Sequence, residues 1–215
     1  MPQITLTFFI EIIGTIAFAS SGALVGIGRR MDLFGIMVLG VTTAVGGGII
    51  RDVILNLMPP TTFRYPVYMA TAALTVLLIF MVIRLRPDIM RTHFFNVYEQ
   101  VINVLDAIGL GAFTVLGINS AITAGYGEYR FLLVFLGVMT GIGGGVVRDM
   151  MAGETPYVMR KHVYATASII GAIVCVLLWM WELTSLNTAM LIGGGLVILI
   201  RMLASYFRWN LPRAM

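Results

Sequence analysis

Gly46-Gly47-Gly48-Ile49-Ile50-Arg51-Asp52 returns later in the chain as Gly143-Gly144-Gly145-Val146-Val147-Arg148-Asp149, changed only from isoleucine to valine. The two stretches stand 143 − 46 = 97 residues apart, and at that offset Gly40 meets Gly137, Thr43 meets Thr140 and Pro59 meets Pro156. With small shifts the match widens: Glu11-Ile-Ile-Gly14 parallels Asp106-Ala-Ile-Gly109, and Val67-Tyr68 parallels Val163-Tyr164. Self-similarity on this scale sets the architecture before any single motif is read.

Outward from the repeat, the solvent is decided by composition. Of the 215 residues, 59% are hydrophobic and 11% charged, whereas soluble domains carry about 25% charged residues. A membrane-spanning helix needs about 20 mostly apolar residues. Seven runs qualify: Ile4–Ile27, Leu33–Leu57, Val67–Ile83, Val101–Ala121, Phe131–Met151, Val163–Trp181 and Ala189–Phe207. The expected fold is an all-α membrane protein with seven transmembrane helices. Residues 1–88 form a first three-helix repeat, 95–182 a second, 187–207 the seventh helix and 208–215 a cytoplasmic tail. Three spans is an odd number, so the second repeat enters from the opposite side and the repeats are inverted.

The loops sort by charge. One side receives Arg29, Arg30, Arg84, Arg86, Arg91, Arg160, Lys161, Arg208 and Arg213, the other only Arg64 and Arg130. Basic loops stay in the cytoplasm, which predicts a multi-pass protein of the cell membrane with an external N-terminus and a cytoplasmic C-terminus. The first basic residue is Arg29, so no basic stretch precedes the first span as a cleaved leader requires. The lone Cys175 excludes an intrachain disulfide.

Inverted repeats commonly carry the solute path at their interface, near the midplane, beside interrupted helices. The triplets Gly46-Gly47-Gly48 and Gly143-Gly144-Gly145 read as those interruptions, against the alternative of close helix packing through small residues. The third triplet, Gly193-Gly194-Gly195, lacks a following Arg-Asp and reads as packing or an oligomer contact. Successive helical residues point about 100° apart, so the spacing predicts that Arg51 and Asp52, like Arg148 and Asp149, each need another partner. Asp52 and Asp149 are expected at opposite mouths of a path, with the arginines turned aside and paired. Glu11 and Asp106 are matched acids inside the first span of each half, either paired with arginines of the same or opposite half or in direct contact with a passing cation. Thr43 and Thr140 are the candidates for a constriction; Ser20, Ser21, Thr42 and Thr114 either line a wet path or bond back to their own helices. Tyr68 and Tyr164 are candidate gate residues that offer a hydroxyl to a carboxylate, or belt tyrosines.

Enzyme readings fare poorly. His93 and His162 lack a second histidine or cysteine at ligand spacing, no nucleophile, base and orienter come together, and the triplets lack the Lys-Ser/Thr of a phosphate loop. No catalytic residue, metal, cofactor or nucleic-acid partner is expected.

Two three-helix repeats, a triplet followed by Arg-Asp in the second and fifth spans, and a seventh helix make a pattern that resembles the prokaryotic relatives of the trimeric intracellular cation channels, over nearly the whole chain. That resemblance implies a homotrimer in the lipid bilayer. Each subunit would have its own hourglass pore, lined by second and fifth helices kinked at the triplets, and permeable to monovalent cations, chiefly potassium and also sodium. Animal members carry a Lys-Glu-Val signature in the fourth span linked to phosphoinositide binding, and Val101-Ile-Asn-Val-Leu-Asp106-Ala has no such triplet. Similar bacterial sequences carry the label of glycine transporters, so a secondary transporter of a small zwitterion is the rival reading.

Overall fold

The computed structural model describes residues 5–85, 94–160 and 163–209, and every regular element among them is helical. In chain order these are α1 (Leu6–Gly28), α2 (Leu33–Ile54), α3 (Thr61–Arg64), α4 (Val67–Leu85), α5 (Phe94–Ala121), a π-helical turn (Ile122–Tyr126), α6 (Arg130–Met151), α7 (Tyr157–Arg160), α8 (Ala165–Met180) and α9 (Leu186–Tyr206). Six are long and apolar enough to cross a membrane, and α8 is a shorter apolar helix. The predicted spans fall on these seven. Most boundaries shift by three residues or fewer, and the largest difference is that α5 begins at Phe94 rather than Val101, because Glu99 and Gln100, polar but good helix formers, carry the helix past its apolar run. The predicted domain boundary at 88, together with Arg86, Arg91, His93, Lys161, His162 and Arg213, lies outside the described residues.

Local signals set the helix ends. Asp32 caps α2 by accepting from the Gly35 amide (2.7 Å), and Ser185 caps α9 by accepting from Thr188. The C-termini of α2 and α6 close in the same way. Asn56 N–H donates to the Val53 carbonyl and Leu57 N–H to that of Asp52. In α6, Gly153 N–H donates to Met150 and Glu154 N–H to Asp149. The turning residues, Asn56 and Gly153, take positive φ (54° and 71°), the left-handed stop that asparagine and glycine tolerate best.

Small residues bring the helices together. Gly22 of α1 lies against Gly40 of α2, and Gly117 of α5 against Gly137 of α6. Between the halves, α1 and α5 run antiparallel, with Gly14 against Ala112, Gly109 against Phe18, and Ser21 against Asp106. The rings of Phe18 and Phe113 stack at 5.3 Å on this seam. Helices α2 and α6 also cross antiparallel, Gly47 meeting Thr140 and Gly144 meeting Thr43. Helix α9 closes over α8 and α5, with Gly193 on Gly171 and Gly194 on Gly111. Lipid is as apolar as leucine, so this close backbone approach, rather than escape from water, holds such helices together. The outward faces stay apolar: Leu74, Leu78, Met81 and Val82 of α4 are exposed.

Candidate functional site: two charge clusters of matching geometry

Each Arg-Asp pair sits in the last turns of its helix, and the two pairs have one geometry. Arg51 Nε donates to Asp52 Oδ1 at 2.8 Å, and Arg148 Nε to Asp149 Oδ1 at 2.8 Å. The second carboxylate oxygen takes a backbone N–H from the first residue of the short helix that follows, Thr61 for Asp52 (2.6 Å) and Tyr157 for Asp149 (2.7 Å). Both aspartates thus have the further partner that the spacing predicts, but each also pairs directly with its neighbouring arginine, which the angle between helical positions did not lead one to expect. The arginine stem is long enough to span the angle between them, and in a site buried to within 4% exposure a free carboxylate is costly.

Around the second pair the cluster is closed. Arg148, fully buried, binds Asp106 and Ser21 through Nη1, and Ser21 donates to Asp106 Oδ1 at 3.1 Å. Ser21 thereby ties α1 of the first half to α5 and α6 of the second. The Tyr164 hydroxyl lies beside Asp106, and the Arg148 guanidinium sits 5.3 Å from the centre of the Tyr157 ring. Burial, only partly offset by Arg148, holds the Tyr157 phenol above its ordinary pKa, which keeps it a neutral group. In the first half Tyr68 and Arg51 lie close enough to Glu11 to act on its carboxylate. Each tyrosine thus lies beside an acid of its own half, but the Tyr164 hydroxyl makes no hydrogen bond among the described residues; the arginine partner of Asp106 is Arg148 of the same half.

The glycine triplets do not interrupt their helices: α2 runs unbroken from Leu33 to Ile54 and α6 from Arg130 to Met151. A Cβ on Gly47 would strike the Thr140 carbonyl oxygen, and one on Gly144 the Thr43 carbonyl oxygen. The central glycines therefore serve the crossing, which is the packing role the sequence reading set aside. Gly143 fits against Gly47, Gly46 makes ordinary contacts, and the hollow over Gly145 is occupied by the Tyr164 hydroxyl. Thr43 and Thr140 are buried and back-bond to Leu39 and Leu136 at 2.6 Å, packing on Gly22 and Gly117.

Beside the first cluster lies a cavity of about 230 Å³, lined by Asp52, Leu57, Thr61, Asn119, Ser120, Thr123 and Ala124. It joins the end of α2 to the end of α5 and its π-helical turn. Sequence reasoning missed the polar α5 residues here, because they become neighbours of Asp52 only where the ends of α2 and α5 meet in the folded bundle. It also missed Arg201 on α9, which is 4% exposed with its guanidinium 4.7 Å from the centre of the Tyr164 ring. The available signal was a lone arginine inside an apolar span.

Fold and site together define a multi-pass helical membrane protein with two buried charge clusters. One family model, described as glycine transporter, matches twice, at residues 8–84 and 103–180. The UPF0126 inner membrane protein YadS of Escherichia coli K12 is 39% identical over 206 residues, covering 96% of this chain and 94% of its own length. The UPF0126 membrane protein YvgT of Bacillus subtilis is 30% identical over 94% of both chains. Among solved structures, a TRIC cation channel superposes with a TM-score of 0.83 at 35% identity over 97% of both chains. The TRIC orthologue from Rhodobacter sphaeroides reaches 0.85 at 29% identity, covering 95% of this chain and all of the orthologue. The chain belongs to this family, the prokaryotic TRIC and UPF0126 membrane proteins.

Proposed function

We propose that the chain is a monovalent cation channel, permeable to potassium and sodium, that works as a homotrimer with an hourglass path in each subunit. Likeness to solved TRIC cation channels over nearly the whole chain supports this reading. The observation that carries it is the pair of matched clusters, one beside a polar cavity that Asp52 lines. The path runs between two inverted three-helix repeats, residues 1–88 and 95–182, with 187–207 as an added helix and 208–215 as a cytoplasmic tail. Asp52 stands at the external mouth and Asp149 at the cytoplasmic one. Helices α2 and α6 cross at their triplets, and bending there opens the path. Tyr68 and Tyr164, lying beside the buried acids, move away with it, while Arg51 and Arg148 remain paired.

The family model's description favours a second reading, a secondary transporter of glycine. The two separate by mechanism: a channel needs a continuous polar path, whereas a transporter needs a closed midplane site and an alternating barrier. Purified protein in planar bilayers should give ohmic single-channel currents in potassium chloride with a cation-selective reversal potential, and Asp52→Asn should lower unitary conductance. Saturable, substrate-coupled glycine uptake into liposomes without such currents would establish the transporter instead.

A further inference from the structure

Arg201 has no counterpart in the first half, and its surroundings give that asymmetry a consequence. It lies on α9, an otherwise apolar helix, and is 4% exposed. Among the described residues it forms no ion pair, its Nε has no hydrogen-bond partner, and its guanidinium rests 4.7 Å from the centre of the Tyr164 ring. Tyr164 in turn lies beside Asp106, the carboxylate that binds Arg148. The equivalent tyrosine of the first half, Tyr68, has the uncharged ring of Phe8 as its neighbour, 6.3 Å away.

The charges can be compared directly. Each cluster holds two carboxyl groups, Glu11 and Asp52 in one, Asp106 and Asp149 in the other. The first holds one arginine, Arg51, and the second holds two, Arg148 and Arg201. Arginine stays protonated, so if the carboxyl groups ionise alike the Asp149 end carries one positive charge more than the Asp52 end. A buried guanidinium without a carboxylate of its own is costly, and here the tyrosine face and the nearby acids offset that cost. Exposed charges such as Arg29 and Glu154, with side chains 44% and 29% exposed, are screened by salt, whereas buried ones are screened much less.

We propose that Arg201 makes the two ends of the path electrically unequal, so that each channel rectifies, passing cations more readily from the Asp52 end than from the Asp149 end. This rests on the channel reading above. One additional elementary charge close to a mouth changes the local cation concentration by roughly two- to threefold, and that factor is the rectification expected.

The experiment is single-channel recording in symmetric potassium chloride. It compares unitary conductance at equal and opposite voltages, so insertion in either orientation is informative. Wild type should show a conductance ratio of roughly two to three that persists at raised ionic strength. Arg201→Gln should bring the ratio close to one. Arg201→Lys keeps the charge but loses the planar stack on Tyr164, so it should keep the ratio while melting at a lower temperature. A purely structural role would lower the melting temperature of both variants and change the ratio of neither, and that result overturns the proposal. If Arg201→Gln does not fold, Glu11→Lys tests the same balance by adding positive charge at the first end. It should bring the ratio to one or reverse it, and an unchanged ratio overturns the proposal equally. Wild-type currents without rectification overturn this inference alone; no cation current at all overturns the channel reading and this inference with it.

Discussion

Asp149 engages its neighbours on two sides, taking the Arg148 guanidinium on one oxygen and the Tyr157 amide on the other. Asp52 repeats that arrangement with Arg51 and Thr61. Each Arg-Asp pair therefore staples a helix end to the short helix that follows, besides placing a carboxylate. Removing one member of a fully buried pair leaves the other uncompensated, which costs about 3–5 kcal/mol; exposed pairs contribute about 0–1 kcal/mol. Arg148→Ala should therefore destabilise the protein by several times more than Arg29→Ala, as thermal unfolding in detergent will measure, since Arg148 is fully buried and the Arg29 side chain is 44% exposed. Similar losses for the two variants would remove burial as the cause. The importance of these residues was legible from their doubling in the sequence. Their pairing was not, because the angle between neighbouring helical positions says nothing of how far an arginine can reach.

Helices α2 and α6 approach so closely at their triplets that side chains have no room, and the obstacles are backbone carbonyls, which cannot swing aside. Gly47→Ala and Gly144→Ala should each push the crossing apart and lower the melting temperature sharply. Gly195, the last glycine of the remaining triplet, has open space where a Cβ would go, so Gly195→Ala should be neutral or gain roughly 0.5–1 kcal/mol from better helix propensity. Equal effects at all three positions would mean that the crossing does not depend on the missing side chains. The sequence shows three triplets of one composition. Only the direction in which each glycine faces separates those under a carbonyl from one facing open space.

Across the whole molecule, the faces of α4 and of the helix ends turned away from the packed interior are apolar, including Phe34 (77%) and Phe131 (83%). The proposed orientation can be checked by cysteine labelling in a Cys175→Ala background, with an impermeant thiol reagent on intact cells. Cysteine at Glu182, in the exposed turn between α8 and α9, should react from outside, and cysteine at exposed Arg30 should not. The reverse pattern would turn the molecule over in the membrane. That turnover would exchange the Asp52 and Asp149 mouths without altering either cluster.

Read as a string, the chain already determined its solvent, its seven apolar helices and the doubling of its charged motif, because hydropathy and repetition are one-dimensional and survive without coordinates. The tertiary structure alone decided which residues meet. It set Ser21 of one half against Asp106 and Arg148 of the other, placed polar residues of α5 beside Asp52, and brought Arg201 over Tyr164. Those contacts depend on how the helices are set against one another in the folded bundle, where the side chain's direction and reach, rather than residue type, choose the partner.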